Sequence, residues 1–126
     1  MKERDIYRAF EGKLHGSTRM KRIVCMVLSH LPRKMITYVT RGCWFLGSTD
    51  DAWAFTFHGD DLVGKHLIIL SDDLLAQSSK QIQHSVAHEI GHVILGHKNA
   101  ILETQTRKQI ARQEKEADEF AQRFGM

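Results

Sequence analysis

One proline, two cysteines and no long apolar run mark this 126-residue sequence, and each scarcity excludes a class of protein. Cys25 and Cys43 stand far apart and neither belongs to a CxxC pair. That excludes the disulfide framework of a small secreted domain and the cysteine-rich structural zinc site. Both are expected to be reduced, partly buried thiols. No stretch approaches the roughly 20 apolar residues that a membrane span requires. The opening Met1-Lys2-Glu3-Arg4-Asp5 alternates charge and leads into no apolar core segment, so it does not read as a signal peptide. A cytoplasmic location without membrane attachment is the expectation. Charge of one sign is also lacking: 18 Lys+Arg against 15 Asp+Glu leave +3, scattered along the chain. A nucleic-acid binder gathers its basic residues into a patch, and none is visible. The length suits one domain, residues 1–126, around one core.

What is present is strong periodicity. Ile6, Phe10 and Leu14 recur four apart and predict a short helix over residues 4–14. Met20, Ile23, Val24, Val27, Leu28 and Leu31 form one helical stripe, with Ser17 or Thr18 as its cap. Pro32 ends that helix and can open another, which carries Met35, Ile36 and Val39 inward and stops near Gly42. The period then changes. Residues 43–46 are a short apolar run. Trp53, Phe55 and Phe57 alternate with Ala52, Ala54 and Thr56 as in a half-buried strand, and residues 66–70 suit a buried one. Ser78-Ser79-Lys80-Gln81 fits a capping box for a helix over residues 79–95, with Gly96 and Asn99 as candidate ends. A last helix starts near Thr104 or Thr106 and turns Ile110, Ala117, Phe120, Ala121 and Phe124 to one side. The order of elements predicts an α+β fold: N-terminal helices, a small mixed sheet of about three strands, then helices.

The chemistry lies in the second half. His88-Glu89-Ile90-Gly91-His92 is HExxH, well inside the predicted helix. At about 100° per residue the two imidazoles lie about 40° apart, one turn above the other, and can reach one metal ion. Glu89 projects toward the open position, where a carboxylate can take a proton from a water that zinc has acidified. A catalytic zinc site needs a third protein ligand. His97 would sit about 180° from His88 on a continuing helix and is expected to be exposed near the helix end. In Glu114-Lys115-Glu116-Ala117-Asp118-Glu119-Phe120-Ala121, Glu114 lies about 65° from the centre of the apolar face and Glu116 about 95°. Glu114 is therefore favoured. Asp118, one turn on, could accept from the free N–H of a ligating histidine. Glu116 and Glu119 read as solvent-facing.

HExxH followed by ExxAD-x-FA resembles the gluzincin metallopeptidases, in particular the ImmA/IrrE-like and minigluzincin groups. The resemblance spans residues 79–124. It implies a zincin-like fold, Zn(2+) on His88, His92 and Glu114, Glu89 as general base and Asp118 behind a ligand. Longer members carry a further recognition module past the glutamate helix. With the sequence ending at Met126, the repressor-cleaving role of some relatives is not expected.

The implied activity is endopeptidase cleavage of a peptide or protein substrate, with Glu89 moving the proton from water to the leaving amine. Strand 52–57 (Ala52, Trp53, Ala54, Phe55, Thr56, Phe57) is the candidate to hold substrate by backbone pairing. His58, His66 and Tyr38 are considered as oxyanion partners and none is assigned. The alternative is a zinc-binding, latent or non-catalytic module that acts through protein–protein contact. The intact Glu89 argues against it, since a structural site needs no base.

Overall fold

The computed structural model describes residues 1–47, 65–97 and 106–126. Along the chain run α1 (Glu3–Ala9), β1 (Leu14–His15), α2 (Thr18–Ser29), α3 (Arg33–Gly42), β2 (Cys43–Gly47), β3 (His66–Leu70), α4 (Asp72–Leu75), α5 (Ser79–Ile94) and α6 (Arg107–Arg123). The fold is α+β, as the periodicity predicts.

Helix α1 stops earlier than expected. Glu11 and Gly12 both take positive φ (49° and 84°), which turns the chain out of the helix and lays Leu14 and His15 down as a strand. Phe10 and Leu14 are still buried, but against the sheet: Phe10 meets Phe45 edge-on at 5.6 Å, and Leu14 pairs with Phe45. Helix α2 begins where the Ser17 side chain accepts a hydrogen bond from the Met20 N–H at 3.1 Å. All six residues of its predicted stripe, Met20 to Leu31, are buried. Pro32 is the N-cap of α3, which buries Ile36 and Val39 and runs directly into β2.

The three described strands lie in the order β1-β2-β3, and both pairings are parallel. A mixed sheet was the expectation; its aromatic strand at 52–57 lies outside the described residues. Strand β3 corrects another reading. Ile68 and Leu70 are buried, whereas His66, Leu67 and Ile69 are exposed, so its apolar run serves a half-buried strand with one covered face. Cys25 and Cys43 are free and fully inside the core, and burial pushes their thiols up to about 11 and about 12. Among the described residues no helix is long and apolar enough to cross a membrane.

Candidate metal centre

Two helices build the site. Ser78 caps α5 by accepting from the Gln81 N–H at 3.3 Å, but Gln81 Nε2 donates to Ser85 Oγ at 3.4 Å and does not return to Ser78, so only half of the expected capping box forms. Helix α6 has the complete box: Thr106 Oγ1 accepts from Gln109 N at 3.1 Å, and Gln109 Oε1 accepts from Thr106 N at 2.8 Å. Helix α5 buries Ile82, Val86, Ala87, Ile90, Gly91 and Val93, and α6 buries Ala117, Phe120 and Ala121. Ile110, expected on the same apolar side, is 38% exposed, because it precedes the stretch that packs on α5. The pairs His84–Asp118 and His88–Glu114 show that the helices run antiparallel.

Gly91 sets their separation. A Cβ there would lie 3.0 to 3.2 Å from the Cδ1, Cβ and Cγ atoms of Phe120, closer than packed carbons ordinarily approach. The middle of HExxH thus packs tightly on Phe120 of α6, beside the α6 carboxylates that meet the histidines.

His88 Nε2 lies 2.7 Å from Glu114 Oε2 and 3.1 Å from His92 Nε2, and His92 Nε2 lies 3.1 Å from Glu114 Oε1. His88 Nδ1 donates to Asp118 Oδ1 at 2.7 Å. This hydrogen bond leaves the Nε2 lone pair of a neutral His88 ring facing the glutamate and the second imidazole. Lone pairs and carboxylate oxygens at such separations repel unless a cation or a proton lies among them. Two imidazoles and a carboxylate suit a divalent ion, and three protein ligands leave one coordination position for water or substrate. His88, His92 and Glu114 therefore form a group placed to hold a metal ion.

The electrostatics favour a neutral His92. Burial lowers the pKa of His92, with Glu114 opposing and His88 reinforcing the shift. The hydrogen bond from His88 holds the Asp118 carboxyl below its usual range. Glu89 is exposed on α5 and near enough to act electrostatically on His92.

Three residues stand differently from their sequence reading. His97 is not exposed: its side chain is 8% accessible, its Nδ1 lies 2.9 Å from His92 Nδ1, and its Nε2 lies 3.4 Å from Glu116 Oε2. Glu116 is accordingly half-buried between His97 and Arg112, whereas Glu119 is exposed as expected. His84 was missed. Its Nε2 lies 3.3 Å from Asp118 Oδ1 and its Nδ1 3.2 Å from the Met126 backbone oxygen. The signal was available, since His84 precedes His88 by one helical turn on the same face. Tyr38 and His66 are exposed, and His58 lies outside the described residues.

Fold and geometry thus define a paired-helix site of two histidines and a glutamate, able to take a metal ion. Residues 80–126 match the family described as Peptidase U49. The matched stretch is well under half of the chain and contains the site's histidines and carboxylates. No curated protein and no solved structure matches the chain.

Proposed function

We propose that the chain is a zinc-dependent endopeptidase of the gluzincin type, working as one domain in the cytoplasm. The observation that carries this reading is the convergence of His88 Nε2, His92 Nε2 and the Glu114 carboxylate within about 3 Å of one another. His88, His92 and Glu114 would hold the ion, and Zn(2+) would supply the Lewis acidity that polarises a carbonyl and acidifies a water. Glu89 would accept a proton from the attacking water on its carboxylate and deliver it to the leaving amine. Asp118 holds the Nδ1 proton of His88, which keeps Nε2 free and raises its basicity. The match to a peptidase family over residues 80–126 supports peptide hydrolysis over other water-dependent reactions.

The test is a peptide-library digest by the purified chain with and without a chelator. New peptides that vanish with chelator and return with added zinc are expected. A protein that binds zinc stoichiometrically yet yields no chelator-sensitive product would instead be a zinc-binding module.

A further inference from the structure

A helix that ended differently would leave His92 unsupported. Helix α5 closes in a pair of hydrogen bonds, from Gly96 N to Val93 O at 3.1 Å and from His97 N to His92 O at 3.0 Å. With Gly96 at φ +69° between them, this is a Schellman turn, which folds the residue after the glycine back over the third residue from the helix end. Here those two residues are His97 and His92. A straight continuation of the helix would have carried His97 to the opposite side.

The protons in this corner can be placed. Nε2 of His92 faces His88 and Glu114, so a metal-ligating His92 must keep its proton on Nδ1. That nitrogen is 2.9 Å from His97 Nδ1, and only one of the two can carry a hydrogen between them. If His92 donates, His97 accepts on Nδ1 and holds its own proton on Nε2, which points at Glu116 Oε2 3.4 Å away. Glu116 is in turn held by Arg112 Nε at 3.5 Å. Each ring is then neutral, and every proton in the row points away from the ligand nitrogens.

We infer that His97 is a positioning residue for the metal centre: it holds the Nδ1 proton of His92, with Glu116 behind it, as Asp118 does for His88. The inference rests on the proposed metal reading of His88, His92 and Glu114. The two supports differ in origin. Asp118 reaches His88 Nδ1 directly from α6, whereas His92 Nδ1 faces a histidine returned by the glycine turn. An imidazole that accepts on one side and donates on the other is the group this position requires.

The experiment compares the full chain with His97→Ala and His97→Asn. Asn keeps an acceptor oxygen where Nδ1 stands. Zinc affinity is measured by competition with a chromophoric chelator, and the His92 tautomer by nitrogen NMR of the zinc-loaded protein. His97→Ala should weaken zinc binding about 10- to 100-fold with unchanged circular dichroism, and His97→Asn should recover most of the loss. The parent should show the His92 proton on Nδ1, with a scalar coupling across the hydrogen bond to His97. That coupling stands as a test even if the alanine variant does not fold. His97→Ala that binds zinc as tightly as the parent, or His97→Asn that falls as far as alanine, would overturn this assignment alone. A parent protein that takes up no zinc would overturn the metal reading with it.

Discussion

His88 and Asp118 are joined across the two site helices by a hydrogen bond of 2.7 Å, and that single contact decides which imidazole nitrogen is free. The carboxylate accepts the hydrogen bond from Nδ1–H, and Nε2 is left to point at Glu114 and His92. Replacing Asp118 with Asn removes the charge that favours this tautomer. Asp118→Asn should lower metal affinity about 10- to 100-fold while leaving the fold intact, as read by chelator competition beside circular dichroism. The pH dependence has a definite sign. Because the Asp118 pKa is depressed below 3.8 in the fold, its contribution to stability is full above that value and is lost as pH falls through the lower, folded pKa. In metal-free protein, Asp118→Asn should flatten this acid limb of the stability curve; an unchanged limb would show that the pair carries no stability.

Glu89 separates binding from turnover. It is exposed, and its carboxylate acts on His92 through space. Glu89→Gln should therefore bind metal as the parent does and lose about 10²- to 10⁴-fold in peptide cleavage. Equal cleavage by the variant would end the general-base assignment.

Gly91 controls the approach of the helices. A methyl group there meets Phe120 at 3.0 to 3.2 Å, and one partner is backbone-proximal Cβ, which cannot swing away. Gly91→Ala should destabilise the protein by about 1–3 kcal/mol and weaken metal binding too, since spreading α5 from α6 withdraws Glu114. Gly91→Ala combined with Phe120→Leu should recover part of both losses. Denaturation and metal titration of the two variants check this; a fully stable Gly91→Ala protein would contradict the packing described.

The thiols report on the core. Cys25 and Cys43 are buried and their pKa values stand at about 11 and about 12. At neutral pH both should resist a thiol reagent in the native protein and react promptly in denaturant. The linkage runs opposite to that of Asp118. An unfolded thiol ionises near 9.0 whereas the buried ones do not, so stability should fall as pH rises from 9.0 toward 12.

Much of this is legible in the sequence. The stripe from Met20 to Leu31 and the HExxH register depend only on helical period, and helices α2 and α5 follow them. The preference for Glu114 over Glu116 rests weakly on a difference of about 30° around a helix and more on Asp118 one turn beyond it, and Glu114 is the carboxylate beside both histidines. What escaped was set by chain reversals. Strand β1 is two residues long, too short for a period, and exists because Glu11 and Gly12 turn the chain. Helix α4, four residues long, is equally silent. The place of His97 follows from the turn at Gly96 and not from the helical period, since a glycine at a helix end brings the next residue back. His84 repeats the spacing of His88 and His92 one turn earlier, but it lies outside HExxH and its partner Asp118 is far away in the chain.

The most direct test is X-ray diffraction at the zinc absorption edge from crystals of the chain grown with zinc. A single anomalous peak is expected about 2.0–2.2 Å from His88 Nε2, His92 Nε2 and a Glu114 carboxylate oxygen. A peak seated instead among His84, His88 Nδ1 and Asp118, or no peak beside the histidine pair, would contradict the proposed metal centre.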